Sequence, residues 1–147
     1  MSRAVAVLAA IAAGCLVGMQ APINSRLGRN IGTIQAASVS FLVGTAALLL
    51  VTAVVHRGYG ALGMIGRAPW WALLGGLLGA VYVAFALVLV RKLGASGLTA
   101  AVIVGQLAIS VLIDRFGLLG VSRSPVGAQR IAGLVLLVAG VLLVVRR

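Results

Sequence analysis

The stretch that decides the fold covers residues 97–119 and reads GLTAAVIVGQLAISVLIDRFGLL. Most of its side chains are apolar enough for the interior of a bilayer, yet Gln106, Ser110 and Asp114 recur every four residues. This spacing predicts a polar stripe on one face of a helix. Asp114 is the only acidic residue of the chain. Because a carboxylate in an apolar helix is costly, we interpret it as a candidate functional residue.

The composition indicates a membrane protein. Of the 147 residues 63% are hydrophobic and 9% are charged, and the mean hydropathy is +1.24, whereas soluble domains carry about 25% charged residues. We therefore expect an all-α, multi-pass protein whose partner is the lipid bilayer. The net charge of +11 does not indicate nucleic-acid binding, because the basic residues fall in small groups between apolar runs, as headgroup anchors do. One Cys, one His and one Asp predict no disulfide framework, metal site or cofactor.

Five segments are long and apolar enough to cross a bilayer core of about 30 Å as helices. They are residues 4–23, 33–55, 70–90, 97–119 and 130–145. Turn and charge signals mark the intervals, at residues 24–30, 56–60, 91–94 and 122–125. The intervals leave no room for a soluble domain, so we expect one five-helix transmembrane domain over residues 1–147.

Small residues at four-residue spacing predict close helix packing. Gly14 and Gly18 form one pair in the first segment, and Gly75 and Gly79 form another in the third. The second stripe continues through Tyr82, which we expect to wall a cavity if that face turns inward.

The basic residues predict no preferred orientation. With five crossings, Lys and Arg number six on each side of the membrane, so the excess that normally sets the cytoplasmic side is absent. One side has Arg3, Arg57, Arg67, Arg115, Arg123 and Arg130, and the other has Arg26, Arg29, Arg91, Lys92, Arg146 and Arg147. We expect insertion both ways round and an antiparallel homodimer, which supplies an inverted repeat. The alternative is one orientation with an accidental tie.

Three segments carry polar side chains within or at the end of their apolar runs. Gln20 and Asn24 share a face at the end of the first segment, and Ser38 and Ser40 lie in the second. Together with the stripe of the fourth segment, they are interpreted either as hydrogen-bonding links between helices or as the lining of a polar path for a small molecule. Asp114 is either an interfacial acid paired with an arginine or a carboxylate that binds a proton and a cationic substrate alternately.

The chain resembles a known family at an ordered set of motifs. These are Gln20-Ala21-Pro22-Ile23-Asn24, Ser40-Phe41-Leu42-Val43-Gly44-Thr45, Pro69-Trp70-Trp71, Gly75-Gly76, Gly79-Ala80-Val81-Tyr82, Gly105-Gln106 and Asp114-Arg115-Phe116-Gly117. In these it is similar to the YdcZ-like family of the drug/metabolite transporter superfamily, bacterial inner-membrane proteins of about this length. The resemblance implies five-helix subunits, a family that contains dual-topology homodimers, and transport of a metabolite, drug or organic cation by alternating access.

The resemblance also implies that six residues of this chain belong to the sequence pattern of the family. They are Gln20, Asn24, Ser40, Gln106, Asp114 and Gly117. The related small multidrug exporters use a glutamate in their first helix, whereas the first segment here has no acid. Proton coupling would therefore depend on Asp114 or be absent.

Other function classes remain as alternatives. One is a small dual-topology ion channel with the amides and hydroxyls as pore ligands, and another is an accessory membrane subunit without flux of its own. An enzyme is not expected, because the chain has no acid pair and its one histidine, His56, lies beside Arg57 in an interval between segments.

Overall fold

Four α-helices account for most of the chain in the computed structural model, which describes residues 2–55 and 59–145. They are α1 (Arg3–Ile31), α2 (Thr33–Val55), α3 (Leu74–Phe116) and α4 (Ala128–Val145), with 3₁₀ turns at Gly60–Arg67, Trp70–Leu73 and Leu118–Gly120. Every element in these ranges is helical, which confirms the all-α prediction. Within residues 2–55 and 59–145, four helical stretches are long and apolar enough to cross a membrane. The interpretation of His56 and the charges of Arg57, Arg146 and Arg147 lie outside the described residues.

The first helix is longer than the sequence predicts. Hydropathy places the end of the segment at residue 23 and a turn over residues 24–30, but α1 continues to Ile31, so the predicted turn is wrong. Polar and charged residues end a hydrophobic run without ending a helix. The helix ends only at Gly32, whose φ of 94° is favoured by glycine. A single residue then connects α1 to α2.

The third helix contains a break. Helical structure extends over 43 residues, but Gly94 within it has φ 72° and ψ 170°, which is not helical. The break expected at residues 91–94 is thus confined to one glycine. The predicted fourth segment also ends earlier than residue 119, since α3 stops at Phe116 and Gly117 adopts a left-handed conformation.

The chain divides into two compact units, Met1–Arg91 and Lys92–Arg147. The core of the first unit consists of Ala36 and Ala37 of α2 with Val83 and Leu87 of α3. Leu87 is completely buried. Gly28 of α1 lies beside it, because a Cβ there would lie 3.5 Å from both Ala36 Cβ and Leu87 Cδ2. The small residues therefore allow three helices to meet closely in this unit.

In the second unit, both ends of α4 lie beside the part of α3 that follows Gly94. Arg130, near the start of α4, is ion-paired with Asp114 near the end of α3. At the other end, a Cβ on Gly97 would lie 3.8 Å from Val145 Cγ2. Since the start of one helix meets the end of the other, the two run antiparallel.

Candidate functional site

A crevice between α1 and α3 brings together three of the predicted site residues. Gln20 and Asn24 contribute from α1, and Tyr82 contributes from α3. In this conformation the crevice holds no space for a water molecule. The remaining lining is apolar and consists of Val17, Ala21, Val83, Ala86 and Leu87. A polar ligand would therefore require the two helices to separate.

The crevice follows directly from helical periodicity. On α1 its lining residues are Val17, Gln20, Ala21 and Asn24, which lie three or four positions apart and so share one face. Pro22 lies within the same helix, and because it has no N–H it leaves a carbonyl one turn earlier without its helical donor. The crevice thus places two amides near a point where the helix backbone is weakened.

Asn24 is held in place by a second predicted residue. Its Nδ2 donates a hydrogen bond of 2.9 Å to Ser40 Oγ of α2, and Asn24 is only 7% exposed. A buried amide is costly without a partner. The bond therefore both satisfies Asn24 and connects α1 to α2 at the edge of the crevice.

The residue after Asn24 makes a connection that sequence reasoning misses. Arg91 of α3 donates from Nε to Ser25 Oγ at 3.0 Å and from Nη2 to the Ser25 carbonyl oxygen at 3.2 Å. Ser25 is 5% exposed. The sequence places both residues in intervals between segments. The signal that could have found them is the four-residue series Gln20, Asn24 and Gly28, which continues the helix beyond the apolar run.

The remaining polar candidates in the first unit are less connected. Ser38 is exposed, and its hydroxyl donates to the carbonyl oxygen of Ile34 one turn earlier.

Of the packing glycines, Gly79 lies beside α2, since a Cβ there would be 3.4 Å from Phe41 Cζ. A Cβ on Gly14, Gly18 or Gly75 would meet no described atom within 4 Å, so their role in packing stays a prediction.

The polar stripe of the second unit lies on the part of α3 after Gly94. Gln106 and Ser110 are exposed, and the structure does not place them in the crevice. Asp114 forms an ion pair, with Arg130 Nη1 at 3.0 Å from its Oδ2. Its partner comes from α4 and is not the neighbouring Arg115. Of the two interpretations of Asp114, this geometry favours the acid paired with an arginine.

No group of three or more His, Cys, Asp or Glu side chains within residues 2–55 and 59–145 could hold a metal ion. The polar groups of the crevice are two amides and a phenol, and such groups bind small molecules by hydrogen bonding. The arrangement is suited to reversible binding inside a set of membrane-spanning helices.

A comparison with protein families matches residues 5–143 to the family described as "Putative inner membrane exporter, YdcZ". The chain belongs to the YdcZ family. The matched residues include those of the crevice, of the α1–α2 connection and of the Asp114–Arg130 pair. Comparisons with curated proteins and with solved structures give no match.

As a YdcZ family member with four helical stretches of membrane-spanning length, the protein is a transport-family protein of the inner membrane. The resemblance noted from the sequence motifs is thereby confirmed. The family description names an exporter and names no substrate.

Proposed function

We propose that the protein is a small-molecule transporter of the drug/metabolite type, which works by alternating access. The observation that carries this proposal is the meeting of Gln20, Asn24 and Tyr82 in one crevice between two spanning helices. Hydrogen-bonding groups between two apolar helices are more typical of a substrate path than of a surface that faces lipid. Opening of the crevice would expose these groups to a ligand.

The length of α3 supports five crossings as part of the proposal. Its 43 residues would extend about 65 Å at 1.5 Å per residue, which is about twice the hydrocarbon thickness. The non-helical Gly94 divides it into two stretches of about 20 residues, each long enough for one crossing. With five crossings, the two ends of the chain would lie on opposite sides of the membrane.

An antiparallel homodimer is the second part of the proposal. It is supported by the equal numbers of Lys and Arg on the two sides and by polar groups on exposed helix faces. Gln106 and Ser110 are exposed, and polar side chains on apolar helices are stabilised by partners in a neighbouring helix. A second copy would supply such partners. Reporter fusions to the C-terminus test this, because activity on one side of the membrane alone would contradict dual topology.

For Asp114 we propose a role as an ion-paired acid that connects α3 to α4, because Arg130 lies 3.0 Å from it. The crevice has no acid of its own, since Asp114 is the only one in the chain. Asp114→Asn should therefore leave transport and its pH dependence unchanged. Loss of the pH dependence with flux retained would instead identify Asp114 as the proton-coupling site.

The substrate path is tested by labelling, which requires no knowledge of the substrate. In a Cys15→Ser background, Gln20→Cys places a thiol in the crevice, and Leu16→Cys places one a single turn earlier on the exposed, apolar part of the same helix. If the crevice opens to water, a charged maleimide should label the first thiol several-fold faster than the second. Equal labelling of the two would contradict the proposal.

Identification of the substrate follows from comparing wild-type and deletion strains across a metabolite and toxicant screen. Flux into proteoliposomes then separates the proposed transporter from the two alternatives. A transporter saturates and concentrates its substrate, a channel does neither, and an accessory subunit produces no flux.

A further inference from the structure

A second concave region lies in the Lys92–Arg147 unit, at the end of α3. It is a cleft of about 470 Å³ lined by Arg115, Phe116, Arg123, Ser124 and Pro125. None of these residues lines the polar crevice. The cleft combines two guanidinium groups with an aromatic ring and a proline.

The turn after α3 positions one of the two arginines. Gly117 has φ 65°, and a Cβ there would lie only 2.7 Å from Arg123 Cγ. The glycine therefore gives Arg123 room to lie against the end of the helix. Arg123 Nε donates to the Phe116 carbonyl oxygen at 3.2 Å, and the Ser124 N–H donates to the Asp114 carbonyl oxygen at 2.9 Å. The segment that forms the cleft is therefore an ordered turn, which is held by hydrogen bonds to the last residues of α3.

The charges of this turn are not balanced within the chain. Arg115 and Arg123 both line the cleft, while Asp114, the only acid in the sequence, is ion-paired with Arg130. Two neighbouring guanidinium groups without an acid partner favour an anionic ligand, and guanidinium groups bind phosphate oxygens through parallel hydrogen bonds.

We propose that this cleft binds the phosphate-bearing headgroup of an anionic phospholipid. The location favours a lipid, because the cleft follows one apolar, membrane-length helix and precedes another, which places it at headgroup depth. Phe116 is 57% exposed and supplies an apolar surface for the adjoining acyl region. Basic pockets between transmembrane helices bind anionic headgroups in this way.

The experiment uses the full chain purified in a neutral detergent and titrated with phosphatidylglycerol or phosphatidylcholine, with bound lipid counted by native mass spectrometry. The wild type should prefer phosphatidylglycerol. Each arginine near the surface contributes about fivefold to binding, so R115Q/R123Q should weaken phosphatidylglycerol binding about 30-fold. The double variant R26Q/R29Q, which removes the same charge from α1 outside the cleft, should retain the preference. An equal loss in both variants would overturn the site.

A charge-neutral variant tests the geometry. Gly117→Ala should weaken phosphatidylglycerol binding several-fold with the net charge unchanged, because its Cβ displaces Arg123. Wild-type binding in Gly117→Ala, with size-exclusion chromatography confirming the fold, would overturn the proposal. Inorganic phosphate serves as a competitor in the last experiment, because it would saturate a site that binds free phosphate. Displacement of phosphatidylglycerol by millimolar phosphate would overturn a headgroup site, and persistence of the lipid adduct would support it.

Discussion

The hydrogen bonds between Arg91 and Ser25 allow a quantitative test of how α1 and α3 are connected. Arg91 makes two bonds to Ser25, one to the hydroxyl at 3.0 Å and one to the carbonyl oxygen at 3.2 Å. Because Ser25 is 5% exposed, water cannot readily replace a lost donor. Arg91→Met removes both bonds, whereas Ser25→Ala removes only the first.

The expected free energies follow from this difference. Hydrogen bonds between transmembrane helices contribute about 0.6 kcal/mol on average and up to about 1.7 kcal/mol, and those from charged donors lie at the upper end. Arg91→Met should therefore lower the free energy of unfolding by about 2–3 kcal/mol and Ser25→Ala by about 1 kcal/mol. The double variant should resemble Arg91→Met alone, which gives a coupling energy of about 1 kcal/mol.

The measurement is equilibrium unfolding in mixed detergent micelles with increasing SDS, followed by the fluorescence of Trp70 and Trp71. Lys92→Met is the matched control, because it removes the same charge from the next, exposed residue and should change stability by less than about 0.5 kcal/mol. If the effects of Arg91→Met and Ser25→Ala simply add, the hydroxyl bond does not stabilise the folded state and the reasoning is refuted.

Two further variants test other contacts by the same unfolding measurement. Ser40→Ala should lower the free energy of unfolding by about 1–2 kcal/mol, because it leaves the buried Asn24 amide without its acceptor; a neutral result would contradict that bond. Gly117→Ala and Gly120→Ala both place alanine at positive φ, a cost of about 1–2 kcal/mol each. Only the first meets another side chain, Arg123, so it should be the more destabilising, and equal losses would contradict the close contact.

Much of the helical structure could be predicted from hydropathy, but the end of the first helix could not. The predicted span of residues 130–145 agrees with α4 (Ala128–Val145), and 33–55 agrees with α2. The predicted first segment ends too early because the polar run after residue 23 resembles a turn. Hydropathy reports where a chain leaves the hydrocarbon, whereas a helix ends where its backbone hydrogen bonds stop, here at Gly32.

The candidate site could also be predicted only in part. The shared face of Gln20 and Asn24 follows from spacing along one helix, and both residues line the crevice. Their partners across helices, Ser40 and Tyr82, are candidates from the sequence, but nothing in the sequence pairs them. Arg91 and Ser25 escape sequence reasoning because their contact joins residues 66 positions apart, a distance that local patterns do not report.

The sequence by itself determined the membrane environment, the helical class and the polar stripes, because burial in lipid imposes composition and period on each segment independently. Only the tertiary structure decided which stripes meet. It joined Gln20, Asn24 and Tyr82 in one crevice and paired Asp114 with Arg130 instead of the adjacent Arg115. The physical reason is that partners between helices depend on how the helices pack, and that packing is set by side chains that are distant in the chain.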